Sequence, residues 1–220
     1  MSLSVIDHLL TEVQAQLEIA GQHTLHGPVL ERLTDATRPR TEVPGKMPAH
    51  AALLVQALEA IPDHPFGGLK CALNAAKDHL NWKVDDGGFY APGDDVGAGY
   101  RQGNMHSLLL EPANAPLYHA DALLGFFLLA PHTLYRDHAH LAPELYIPLT
   151  GPSGWRFDQG AWEDAAAGQV IHNPSDRIHA MRVYDVPFLA LFAWTRDISH
   201  PCRVVSAGDW AQIEAELTQS

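Results

Sequence analysis

Cysteine is nearly missing from this chain. Its 220 residues hold two, Cys71 and Cys202, far apart and without CxxC spacing. That excludes a disulfide framework and fits a reducing cytoplasm. Long apolar runs are missing too. The longest, residues 122–131 (ALLGFFLLAP), is about half of what a membrane span needs. Basic charge is scarce, with 14 Lys and Arg against 26 Asp and Glu. The net charge of −12 leaves a general nucleic-acid role without electrostatic support. The N-terminal segment has acidic residues and no basic stretch ahead of an apolar core, unlike a secretory signal. GxGxxG and P-loop signatures are absent, and Ser199-His200 lacks a nucleophile-elbow context.

What is present divides the chain in two. Residues 4–20 place Val5, Leu9, Leu10, Val13, Leu17 and Ala20 at helical spacing, with Ser4 as N-cap. A short helix is expected over 29–33, a proline-rich connector over 37–48, and further helices over 49–61 and 68–82. Composition changes near Asp85, where DDGGFYAPGDDVGAG reads as a turn-rich surface loop and the candidate for a lid. Beyond it the helical period disappears. Short β-type runs follow at 105–110, 122–130, 133–137, 144–149, 154–157, 169–172, 178–183 and 188–195. That spacing indicates a mainly β antiparallel sandwich or barrel, and a closing helix is expected over 207–217. The division is a helical region, 1–98, packed on a β-barrel with its terminal helix, 99–220.

Fourteen histidines are many for this length, and four chemistry-bearing residues crowd residues 137–151, DHAHLAPELYIPLTG. On strands, side chains at i and i+2 share a face. His138 and His140 therefore project together, as do Glu144 and Tyr146, while Leu145 and Ile147 point away. An inward face would bury two imidazoles, a carboxylate and a phenol, which is costly unless they are hydrogen-bonded or metal-bound. Nitrogen and oxygen donors of this kind suit Zn, Fe(II), Mn, Ni or Co. A second stretch, residues 168–179 (GQVIHNPSDRIH), belongs with the first.

The two stretches resemble the cupin motifs. His138, His140, Glu144 and Gly151 match G-x5-HxH-x3-E-x6-G, with His132 in place of the leading glycine. Gly168, Pro174 and His179 match G-x5-PxG-x2-H-x3-N, with Asp176 for the central glycine and Val183 for the final asparagine. The fold this implies is an antiparallel jelly-roll barrel. More narrowly, YRDHAHLAPELYIPLTG, behind a helical N-terminal part, resembles the cupin-type dimethylsulfoniopropionate (DMSP) lyases. The resemblance implies one divalent metal held by His138, His140, Glu144 and His179, Tyr146 as catalytic base, and Tyr135 and Trp194 in the substrate pocket. The reaction implied is elimination of dimethyl sulfide from DMSP, leaving acrylate.

The residues themselves agree with that chemistry. A cationic metal favours the phenolate form of a neighbouring tyrosine, and a sulfonium suits aromatic faces. Trp155, Trp162, Trp194, Tyr135 and Phe127 are the aromatic candidates. Arg136, Arg156, Arg177 and Arg182 default to solvated positions. The same ligand set would also serve an Fe(II)-dependent dioxygenase or a non-catalytic cupin that binds a small acid. The expected partner is a small zwitterion, with no nucleic acid and no membrane, and a homodimer paired through sheet edges is open.

Overall fold

The computed structural model describes residues 4–19, 26–38, 45–46 and 49–219. Part of the expected connector over 37–48 lies outside the described residues. Helix α1 (Val5–Ile19) begins where its sequence says it should: the Asp7 amide donates to Ser4 Oγ at 3.1 Å, and the Ser4 amide reaches back to Asp7 Oδ2 at 3.3 Å. That reciprocal arrangement satisfies two amides that a helix start leaves unpaired. Next come α2 (His26–Asp35), α3 (Ala51–Ala60) and α4 (Asp63–Ala76). The sequence placed the last helix over 68–82. It starts earlier and closes in a single tight turn, Lys77–His79. Trp82 lies beyond it, buried, with its indole N–H on the Lys77 carbonyl at 2.9 Å.

After α5 (Ala98–Gly103) the chain is a sandwich of β1 (Asn104–Glu111), β2 (Leu117–Tyr118), β3 (Leu123–Leu129), β4 (Leu134–Ala139), β5 (Glu144–Pro148), β6 (Ser153–Phe157), β7 (Glu163–Ala165), β8 (Ile171–Asn173), β9 (His179–Val183), β10 (Phe188–Trp194) and β11 (Arg203–Val204), closed by α6 (Trp210–Gln219). One sheet runs β2-β1-β3-β10-β5-β8 and the other β11-β4-β9-β6-β7. All pairs are antiparallel except β1 with β2. The eight expected strands are present. The three that were not anticipated, β2, β7 and β11, have two or three residues each, too few to show alternation.

The first sheet is buried on both faces, which explains its continuous apolar runs. Leu124, Phe126 and Leu128 on β3, Leu145 and Ile147 on β5, and Leu189 and Leu191 on β10 pack against Leu9, Leu54, Phe66 and Leu73 of the helices. Their alternates, Phe127, Tyr146 and Phe192 among them, face the space between the sheets. Gly125 is forced where β1 and β3 lose register. A Cβ there would stand 2.3 Å from the Ser107 carbonyl oxygen and 2.8 Å from the Leu108 Cα.

The second sheet carries an irregularity that sets up the site. Tyr135 pairs with Met181 and His138 with His179, so three steps along β4 match two along β9. This extra residue is a β-bulge. Strict alternation would put Tyr135 and His138 on opposite faces, yet their rings stack 4.2 Å apart. The intervening Asp137 points outward and is fully buried beneath α6. There it accepts from Arg156 through both Nε and Nη2 and from the Trp210 indole at 2.7 Å. Arg156 also binds Asp209 and is among the most buried side chains, contrary to the solvated position expected for it. Arg136 reaches Glu214 and Asp95, and Arg177 reaches Asp158.

Candidate metal centre

Both sheets contribute to the centre. From the second come His138 and His179, a directly opposed cross-strand pair with ring centroids 4.2 Å apart, and His140 just beyond β4. Each imidazole donates through Nδ1 to a backbone carbonyl: Arg136 at 2.7 Å for His138, Ala142 at 2.7 Å for His140, and Arg177 at 2.9 Å for His179. A carbonyl can only accept, so each Nδ1 carries the proton and each Nε2 keeps its lone pair. Among the described residues, these three form the one group of at least three ligand-type side chains that converge, their ligand atoms lying within 4.8 Å of one another.

The first sheet supplies Glu144, buried and held from both sides. Its register partner on β8 is Asn173 and its partner on β10 is Trp194. Asn173 Nδ2 donates to Oε2 and the Trp194 indole to Oε1, each at 2.6 Å. Oε2 also lies 3.3 Å from His140 Nε2 and 3.6 Å from His179 Nε2. Glu144 thus sits closer to these two imidazoles than between all three.

The donor set fits a cation. His179 Nε2 is buried without a hydrogen-bond partner, an arrangement that is costly unless the lone pair is used. Burial holds His138 neutral, with a pKa of about 3, and the neighbouring His140 adds to the effect. Burial, then His138 and His140, likewise push His179 well below the usual value. For His140 burial opposes charge, but the Glu144 carboxylate outweighs it and raises the pKa. Burial also works against a charged Glu144, yet His140, His179 and the Trp194 indole lower its pKa. Two neutral imidazoles and a carboxylate are what a divalent ion requires of its ligands, and His140 joins them when the Nε2 proton it shares with Glu144 is displaced. The buried imidazole cluster in this fold suits a single metal ion.

Two departures from the cupin motifs acquire a reason. His132 and Asp176, standing where the motifs have glycine, both adopt left-handed backbone, with φ of 57° and 65°. Their positions need the conformation glycine adopts without strain, and this chain meets it with residues that tolerate it better than most. Asp176 also donates its amide to the His140 carbonyl at 2.8 Å, fixing the backbone of a candidate ligand.

Beside the cluster is a cavity with about 440 Å³ of empty space. Tyr146, Tyr135, Trp194 and Phe127 line it, as the sequence suggested. Trp155 and Trp162 do not. Trp155 packs behind Tyr146 at 5.3 Å, its indole on Ser153 Oγ, and faces a separate cavity that His172 also lines. Trp162 lies under the guanidinium groups of Arg156 and Arg182. His132 is on the surface, 3.8 Å from Asp185. Unforeseen lining residues are Phe89, Tyr100, His106 and Cys202. Phe89 and Tyr90 come from the supposed surface loop, which is in fact bound to the barrel. Cys202 donates its amide to the Phe89 carbonyl at 2.7 Å, and Ala91 donates to Cys202 at 3.0 Å. Tyr90 shares a short hydroxyl contact with Tyr135, and Tyr100 stacks on Tyr135 while bonding Asp85 at 2.7 Å. The FY pair in a stretch otherwise made of turn residues was the available signal.

A double-sheet antiparallel barrel with an imidazole cluster on its inner face defines a metal-binding cupin. Within that class the chain belongs to the dimethylsulfoniopropionate lyase family, whose profile matches residues 22–190. It is 25% identical over 167 residues to the dimethylsulfoniopropionate lyase DddQ of Ruegeria pomeroyi, covering 76% of this chain and 79% of the relative. The crystal structure of DddQ from Ruegeria pomeroyi DSS-3 superposes with a TM-score of 0.73 at 20% identity, over 93% of this chain and 98% of that one. A structure reported with the DMSP lyases RdDddP and RnDddQII gives 0.65 at 21% identity, over 92% and 98%.

Proposed function

We infer that this protein is a metal-dependent carbon–sulfur lyase that cleaves dimethylsulfoniopropionate to dimethyl sulfide and acrylate. The observation that carries the reading is Tyr146 facing the cavity beside Glu144, within a site where three imidazole lone pairs converge. Family membership supports the same reaction.

The substrate has a carboxylate at one end and a sulfonium at the other. Its α-proton is acidified by the carboxylate side and sits one carbon from the leaving sulfur. In the elimination, the Tyr146 phenolate takes that proton. The C–H electron pair becomes the Cα=Cβ bond, and the Cβ–S pair leaves on sulfur as neutral dimethyl sulfide. As the site stands, burial and the Glu144 carboxylate hold the Tyr146 phenol well above its ordinary pKa. His138, His140, His179 and Glu144 would hold a divalent ion, which when bound would supply Lewis acidity and offset the charge that keeps this phenol protonated. Zn, Fe(II), Mn, Ni and Co all suit that donor set. Phe89, Phe127, Phe192 and Trp194 give the cavity an aromatic wall against which the sulfonium lies, at about 0.5–2 kcal/mol per ring.

The test is headspace dimethyl sulfide from purified protein supplied with each of the five metals in turn. Release with at least one is expected, and release with none sinks the reading. Tyr146→Phe is expected to keep bound metal near wild-type content and to lose turnover by about 10²–10⁴-fold. Retention of most activity would remove Tyr146 from the role of base.

A further inference from the structure

A second cavity, with about 670 Å³ of empty space, lies outside the first. The two share three wall residues: Phe89, His106 and Leu123. At the outer side Lys83 Nζ stands 3.5 Å from Glu111 Oε1, one cation and one anion side by side and partly exposed. A zwitterion meets both of its charges there before reaching the apolar interior.

We propose that the Phe89 ring is the gate between these cavities and sets the size of the sulfonium that passes. The substrate class rests on the lyase reading; the gate itself rests on geometry. His106 and Leu123 belong to β1 and β3, and their backbones are fixed in the sheet. Phe89 is the wall residue that comes from a loop. Its ring meets His106 edge-on at 5.5 Å and Trp194 edge-on at 6.0 Å, closing the gap between two cavity residues. The backbone beside it is pinned by the two hydrogen bonds with Cys202, by Tyr90 N–H on the Gly87 carbonyl, and by the Tyr90 contact to Tyr135. Lifting the loop as a lid would break the Cys202 bonds and the Tyr135 contact. Turning the Phe89 side chain breaks none. The outer cavity, which Phe89 itself lines, is where the turned ring would go.

Cys202 lines the inner cavity and Cys71 is exposed, so the two thiols report on the gate without reference to any reaction. Burial and the Glu144 and Asp85 carboxylates push the Cys202 thiol well above its usual pKa, so methylmercury, which captures protonated thiols, is the probe. Labelling of the metal-loaded chain is followed by mass spectrometry. Phe89→Ala is expected to accelerate Cys202 labelling by about tenfold or more. Phe89→Trp is expected to slow it, with Cys71 unchanged in both. The acceleration should be flat across low urea concentrations, since a side-chain gate opens without unfolding. Equal Cys202 rates in the three proteins, or an acceleration that climbs with urea, overturns the proposal. In turnover, Phe89→Ala should raise kcat/KM for a diethyl sulfonium analogue relative to DMSP. Labelling that follows Phe89 in a protein that releases no dimethyl sulfide would keep the gate and discard the lyase reading.

Discussion

Glu144 shows how far single residues were readable. Alternation along strands paired it with Tyr146, and its place with His138, His140 and His179 was implied by the resemblance to the cupin motifs. The two donors that hold it did not follow. Asn173 and Trp194 lie 29 and 50 residues away in sequence, and only cross-strand register brings them opposite Glu144. Tyr100 and Cys202 were hidden for the same reason: their pairing is long-range, and nothing local marks it. At this scale Asn173→Ala is expected to weaken metal binding by about 10–100-fold, the usual cost of losing a residue that orients a ligand. A chelator competition titration measures it. Unchanged affinity would mean that Trp194 alone orients the carboxylate.

Among the elements, β4 departs most from what its sequence implies. The strand was legible and its bulge was not, since one extra residue leaves no mark in the apolar pattern. Alternation counted back from His138 would have turned Tyr135 outward; the bulge turns it in and sends Asp137 out to Arg156 and α6. Arg156→Met leaves Asp137 buried without its charge partner and is expected to cost about 3–5 kcal/mol by urea unfolding. Adding Asp137→Leu should recover part of that loss, since the uncompensated charge is then gone. Asp209, on the same arginine, has a pKa below the ordinary carboxylate value because Arg156 hydrogen-bonds it. A depressed folded-state pKa adds stability that is present above the unfolded value, near 3.8, and is lost as pH falls through the folded one. Asp209→Asn should therefore narrow the stability difference between pH 6 and pH 3, read from urea midpoints, and an unaltered acid limb would contradict this.

For the molecule as a whole, the helical and β regions were separable by periodicity, but their interdependence was not. The first sheet has two buried faces, and the one packed on the helices makes a core that both regions share. We propose that residues 1–98 and 99–220 unfold as one cooperative unit. Helix ellipticity and tryptophan fluorescence are expected to give coincident urea transitions; two separated transitions would show independent units. Of the eight expected strands, all but the three-residue β8 are long enough to carry a pattern. The order in which they pair had to come from the structure.

The place of β10 in the first sheet has a consequence for how the chain is made. This strand, residues 188–194, sits between β3 and β5 and supplies Leu189 and Leu191 to the helix-facing core. It is also nearly the last strand to leave the ribosome. Until then α1, α3 and α4 have emerged with their apolar stripes facing an incomplete sheet, and β3 and β5 each lack a neighbour. A nascent chain therefore carries unpaired strand edges and uncovered leucines through most of its synthesis, the condition under which chaperones bind. The central strand that completes the first sheet is also what releases the chain from that exposure.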